Sequence, residues 1–282
     1  MILVAPTSFK ATIGAAQAAA ALAAGARDAA VDPELLELPL SDGGPGLLEA
    51  LAYASLPGAT SARNVAVTGP LGDSVQAPLL FRGESAVVES ADACGLHLVP
   101  RERRNPLLTT TRGVGQLLRA AAALPAVRQI ACGLGGSATV DGGAGLASAL
   151  GFRLLDGAGS DLPDGGGALQ RLARIEPPVG GTDLPPVLAL CDVESPLLGP
   201  DGAAAVFGPQ KGATSDGVAR LEAGLERLAE RIRLDLGLDV AALPGAGAAG
   251  GLGAGLVAFA GARLTGGSAW VLDAVGFESA LT

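Results

Sequence analysis

The sequence predicts an α/β fold with a largely parallel sheet, on three observations. Short β-type apolar runs alternate with alanine- and leucine-rich helical stretches. Polar residues, Asp foremost, cluster where those runs end, as they do at the carboxyl ends of strands in open α/β sheets. The 282 residues are 49% hydrophobic but only 3% aromatic, with 43 glycines, so the core must come mainly from Ala, Leu and Val with many close backbone approaches. That length allows one large or two modest domains.

In chain order, Ile2 to Ala5 reads as a short strand, followed by Pro6, Thr7 and Ser8 and then a helix-favouring stretch from Ala11 to Ala30. Leu35 to Leu40 reads as a second strand, closing at Ser41-Asp42-Gly43-Gly44 before a helical stretch through Ala54. Ala86 to Glu89 and Gln129 to Leu134 have the character of buried strands, the latter flanked by helices over Gly113 to Ala123 and Gly143 to Leu150. Pro186 to Val193 is another apolar run. Leu221, Leu225, Leu228, Ile232 and Leu236 mark one face of an amphipathic helix over Arg220 to Leu236. Glycine and proline between Asp156 and Pro186 indicate surface loops.

Composition excludes several functions. A formal charge of −9 and the lack of a basic stripe argue against nucleic acid, while leaving room for a local cationic pocket. His97 is the only histidine, which excludes multi-histidine zinc sites and disfavours a Ser-His-Asp triad. Cys94, Cys132 and Cys191 read as buried free thiols. The start of the chain has no signal-peptide pattern, so a cytoplasmic protein is expected. The charge-free stretch 241–262 is read as a glycine-rich loop leading into a buried helix rather than a membrane span, given Pro244 and its dense glycine.

Candidate chemistry falls at the strand ends. Lys10 follows the first strand and Asp42 the second; Ser137 and Asp141 follow the strand ending at Leu134, and Asp192 closes the run from Pro186. Lys10 and Lys211 are the only lysines among 19 basic residues, and a compact ammonium suits phosphate. The Gly133 to Gly145 segment resembles a phosphate or carboxylate cradle: Gly135, Gly136 and Gly142 free backbone N–H groups, Ser137 and Thr139 add hydroxyls, and Asp141 can hold a metal or a substrate hydroxyl. Tight turns with close helix packing are the structural alternative, and Asp42 or Asp192 could equally be a helix cap. Gly245 to Gly250 matches a dinucleotide fingerprint as text, but Pro244 precedes it and no strand leads in.

Ala5-Pro-Thr-Ser-Phe-Lys10, Leu40-Ser-Asp-Gly-Gly44, Asn105-Pro-Leu-Leu-Thr-Thr-Thr111, Gly135 to Gly143, Cys191-Asp192, Val206 to Ala213 and Pro244 to Gly253 together resemble the successive signature blocks of the bacterial glycerate kinases. The resemblance implies two α/β domains with largely parallel or mixed sheets and a cleft between them. Residues 1–70 and 241–282 would belong to the first domain and 71–240 to the second. It also implies ATP with Mg²⁺ as donor and D-glycerate as acceptor, usually giving 2-phosphoglycerate, with a homodimer allowed. The family has Asp where Thr7 stands, Asn where Val140 stands, and a further Thr-Gly-Glu-Gly block past the point where this sequence ends. A short, non-catalytic relative that binds ligand or a partner is the alternative expectation.

On this reading Lys10 and Lys211 contact phosphate or the glycerate carboxylate, with Ser8, Gly43 and Gly44 lining the same site. The loop from Gly135 to Gly143 supplies N–H donors. Asp42, Asp141 and Asp192 divide Mg²⁺ binding and orientation of the attacking hydroxyl, and Asp192 is the expected base.

Overall fold

The structure, a computed structural model, describes residues 1–9, 12–29, 34–55 and 60–281, so Lys10 lies outside the described residues. Strand β1 (Ile2–Val4) pairs in parallel with β2 (Leu35–Glu37) across helix α1 (Ala15–Ala29). Hydrogen bonds from the Leu38 and Leu40 amides to Val4 and Pro6 carry this pairing along the whole apolar run read from the sequence. Helix α2 (Leu47–Ala54) follows the Asp42-Gly43-Gly44 turn.

Strands β3 (Thr60–Thr68) and β4 (Ser74–Arg82) form an antiparallel hairpin that the sequence reading lacks. Residue 70, where the first segment was expected to end, lies in its turn. Then come β5 (Ser85–Glu89), α3 (Ser90–Cys94), α4 (Arg112–Ala122), β6 (Gln129–Gly133) and α5 (Ala144–Ala149). The predicted loops between 156 and 186 enclose β8 (Arg174–Glu176), which pairs with β7 (Arg153–Leu155). The chain continues through β9 (Val187–Leu190), α6 (Ala203–Phe207), α7 (Ser215–Arg231), α8 (Ala248–Ala260), β10 (Arg263–Thr265), α9 (Gly267–Ala274) and α10 (Phe277–Ala280).

The main sheet runs β10-β9-β6-β5-β4-β3. Its first four strands are mutually parallel, and the β3–β4 hairpin adds an antiparallel margin, so the sheet is mixed. Alternate residues along its central strands face opposite sides. Val88, Ile130, Cys132, Val187 and Ala189 join a core containing residues of α4, α5, α7 and α8. Val87, Ala131, Leu188 and Leu190 join Leu47 and Leu51 of α2 and Val271 of α9. Both faces are covered, which explains why these strands read as unbroken apolar runs.

Helix α7 starts at Thr214, whose hydroxyl accepts from the Gly217 amide at 3.2 Å, and buries Leu221, Leu225 and Leu228. It ends five residues before the predicted Leu236, where Ile232–Leu236 winds as a π-helical turn. In α8, Ala249, Gly250 and Gly251 have left-handed backbone, so regular helix begins after them. Among the described residues no helix is long and apolar enough to cross a membrane.

Candidate active site

Strands β5, β6, β9 and β10 end on the same side of the sheet, and the Asp42–Pro45 turn passes over those ends. Contact is backbone to backbone: a Cβ on Gly133 would lie 2.4 Å from the Gly43 carbonyl oxygen, and one on Gly267 would lie 2.0 Å from that of Asp42. Gly43 itself has a φ of +90°, a conformation costly for residues bearing a Cβ.

The exposed Asp42 carboxylate accepts the Gly44 amide at 2.9 Å through Oδ1. Asp192, also exposed, lies just beyond β9; its Oδ2 accepts the Ser268 amide at 3.0 Å and the Ser268 hydroxyl, capping the first turn of α9. Asp42 through its backbone and Asp192 through its carboxylate thus meet the same helix start. Burial first, and then the Asp192 and Asp42 charges, push the neighbouring Cys191 thiol upward. A hollow of about 290 Å³ opens beside Asp192, lined also by Glu194, Gly245 and Thr265.

The glycine loop runs from this point to Lys211. Gly135 and Gly136 rest on Pro45, where an added Cβ would come within 2.9 Å of the proline ring in each case. Lys211, only 3% exposed, donates through Nζ to Ser137 Oγ and to the Thr139 carbonyl, each at 2.8 Å. Burial pulls its pKa down to about 8, opposed by Cys94 and Asp141. The Thr139 hydroxyl is buried, and the side chain that interacts with it is the Cys94 thiol.

Asp141 differs from expectation. It is fully buried, and its oxygens accept the Thr111 amide and hydroxyl, both at 2.9 Å, and the Gly143 and Gly145 amides at 3.1 and 3.2 Å. It therefore joins the starts of α4 and α5 from inside the protein instead of meeting a metal. Burial raises its pKa, and those four donors oppose the rise. The expected Asp42, Asp141 and Asp192 metal set does not gather, and among the described residues no group of three or more acidic, Cys or His side chains is arranged to hold a metal ion.

The loop's amides are also partly spent. Those of Ala138, Gly142, Gly143, Ala144 and Gly145 bond within the protein, whereas those of Gly135, Gly136, Ser137, Thr139, Val140 and Asp141 donate to no described acceptor. Of these six residues only Gly135 and Gly136 are not buried, so the part of the cradle open to an anion is its start. Ser8 is exposed beyond β1 and makes no hydrogen bond among the described residues. Val140, where the resemblance placed an Asn, is fully buried in the main core.

Glu89, not singled out in the sequence, ends β5 and is 7% exposed. Its carboxylate accepts the Leu48 amide at 2.8 Å and the Gly46 amide at 3.1 and 3.2 Å, fixing the first turn of α2 and with it the exit of the Asp42 turn. Burial pushes its pKa up to about 7, assisted by Asp92 and opposed by the amides. The available signal was a carboxylate closing an otherwise apolar buried strand.

The order of these features along the chain has a counterpart in known proteins: the model described as the glycerate kinase family matches residues 2–282. The chain belongs to the glycerate kinase family. It is accordingly a kinase, a phosphotransferase with an alcohol group as acceptor. It is 47% identical to the glycerate kinase of Halalkalibacterium halodurans, over 98% of this chain and 73% of that one. It is 43% identical to the glycerate 2-kinase of Escherichia coli, again over 98% and 73%. A crystal structure from Salmonella typhimurium LT2, assigned to a glycerate kinase 2, superposes with a TM-score of 0.85 at 46% identity, covering 98% of this chain and 74% of its own. As in the glycerate kinase 2 structure, the fold is α/β, with the mixed six-stranded sheet at its centre.

Proposed function

We propose that this glycerate kinase transfers the terminal phosphoryl group of ATP to D-glycerate and yields 2-phosphoglycerate in the cytoplasm. The observation that carries the reading is the meeting of two exposed carboxylates, Asp42 and Asp192, with undonated amides at the start of the glycine loop, at the C-terminal ends of the parallel strands. Carboxylates and amides serve opposite needs of phosphoryl transfer. The Gly135 and Gly136 amides would hold an anionic oxygen, because partial positive charge fixed in a folded backbone needs no reorganisation when negative charge arrives.

Asp42 and Asp192 each fit Mg²⁺, which commonly takes one or two carboxylates together with phosphate and water oxygens. Bound there, the ion would neutralise charge on the transferring group. Asp192 lines the hollow beside β9 and would accept the proton of the attacking hydroxyl, while the Ser268 amide keeps its carboxylate oriented. Lys211 acts from behind the loop. Its ammonium fixes Ser137 and Thr139, and with them the conformation that presents the neighbouring amides.

The test is ADP formation from Mg²⁺-ATP with and without D-glycerate, followed by product identification. Glycerate-dependent turnover is expected, falling at least a hundredfold in Asp192→Ala, about 3 kcal/mol of barrier. Turnover within threefold of the parent in that variant removes Asp192 as base, and ADP formation indifferent to glycerate removes the acceptor.

A further inference from the structure

Two adjoining hollows flank the Asn105–Leu108 turn, of about 580 and 480 Å³. Arg171 and Arg220 line the first, Arg103 and Arg104 the second, and Leu107 and Leu108 form the ridge shared by both. Among the described residues none of these four arginines makes an ion pair. The carboxylates lining the same hollows are few: Asp164 is already held by the Arg112 guanidinium through two bonds of 2.8 Å, and Glu102 lies among exposed residues at the rim. In a chain of net charge −9, four uncompensated arginines around one turn form a cationic exception. The hollow beside Asp192 has the opposite character, with Asp192 and Glu194 in its lining.

Two details make this groove more than a charged surface. Arg104 Nε is buried from water and has no acceptor among the described residues, so the folded chain leaves a cationic donor unsatisfied there. Leu108 is 67% exposed between the two cationic lobes, offering an apolar surface beside the charge. The groove is also connected to the glycine loop. A Cβ on Gly212 would lie 2.4 Å from the Arg104 carbonyl, so the Lys211–Gly212 turn rests on Arg104, while Lys211 reaches Ser137. From the same turn Thr109 donates through its hydroxyl to the Ala138 carbonyl at 2.8 Å.

We infer that this groove binds a nucleoside polyphosphate, its phosphates on Arg103, Arg104, Arg171 and Arg220 and its nucleoside against the Leu107–Leu108 ridge. Guanidinium groups suit phosphate oxygens through paired, fixed donors, and the ridge supplies the apolar contact that inorganic phosphate does not use. The inference rests on the proposed reaction for the ligand's role as phosphoryl donor. It adds the location: donor on the arginine side of the glycine loop, acceptor on the carboxylate side.

The test is calorimetric binding of ADP and of inorganic tripolyphosphate to the whole protein without turnover, with the KM for D-glycerate measured separately. Arg104→Gln is expected to weaken ADP binding at least tenfold, and the exposed pair Arg171→Gln with Arg220→Gln at least fivefold, with KM for glycerate within twofold in both. The exposed pair keeps the test decisive if Arg104→Gln fails to fold. ADP affinity within twofold of the parent in the folded variants overturns the groove while leaving the proposed reaction standing. Tripolyphosphate binding as tightly as ADP overturns the nucleoside contact. A parent chain that binds no ADP at millimolar concentration overturns the donor altogether.

Discussion

At the scale of single residues, burial has made Lys211 and Asp141 parts of the scaffold under the site. Lys211 keeps its proton only while the surroundings tolerate a desolvated ammonium, and its pKa is lowered to about 8. As pH rises through that value the charge and its fixed donors are lost, so turnover is expected to fall on the alkaline side around pH 8. Lys211→Met should show low activity without that limb in a kcat/KM profile. Stability moves the other way. The unfolded chain holds this proton up to about pH 10.5 while the folded chain gives it up near 8, so the penalty of the buried charge is relieved between those values. Asp141→Asn is expected to cost about 3 kcal/mol, because it replaces an acceptor of four hydrogen bonds with an amide whose NH₂ faces donors; urea unfolding measures it. The sequence marked both residues as special through their loop setting. It did not reveal what they do, because two of the four donors on Asp141 come from Thr111, thirty positions earlier, and the groups occupying Lys211 come from a loop more than seventy positions away.

At the scale of elements, the site depends on one crossing of the Asp42 turn over Gly133 and Gly267. Gly267→Ala would put a methyl 2.0 Å from the Asp42 carbonyl oxygen, and neither backbone can yield without moving the start of α9 away from Asp192. That substitution is expected to lower kcat at least tenfold and the melting temperature by several degrees, whereas alanine at Gly261, where an added Cβ meets nothing within 4 Å but φ is +61°, should lower stability slightly and leave kcat unchanged. Paired kinetics and thermal unfolding separate the two. Buried strands and long helices were legible because their apolar spacing is unambiguous: β5, β6, α4 and α5 lie within a residue of their expected bounds. The β3–β4 hairpin was not, since residues 60–68 are mostly exposed and carry little alternation, although Gly69-Pro-Leu-Gly-Asp73 is a turn sequence. The length of β10, three residues, likewise left too short a pattern to read.

For the whole molecule, Glu89 links the pieces. It belongs to β5, but its carboxylate holds α2, and the groups facing it are Asp92 on α3 and the buried Cys132 thiol on β6. Its pKa rises from 4.5 unfolded to about 7 folded, so the folded chain takes up a proton between those values. Stability from this residue is full below pH 4.5 and is lost as pH rises through 7, by on the order of 3 kcal/mol at full ionisation. Denaturant unfolding at pH 5, 6.5 and 8 should show this decline superimposed on other titrations, with a flatter course in Glu89→Gln. An equal slope in both proteins removes Glu89 as its source. The overall α/β architecture was readable from alternating segments, whereas this link was not, because it joins positions more than forty residues apart.

The contact between Gly43 and Gly267 has one more consequence, in the order of synthesis. The turn carrying Asp42 leaves the ribosome early, but its resting place is completed by backbone made more than two hundred residues later. Until then Leu47 and Leu51 lack Val271 as an apolar neighbour, and the candidate site cannot exist in any nascent intermediate. During synthesis, therefore, the reaction centre can close only after the start of α9 has emerged.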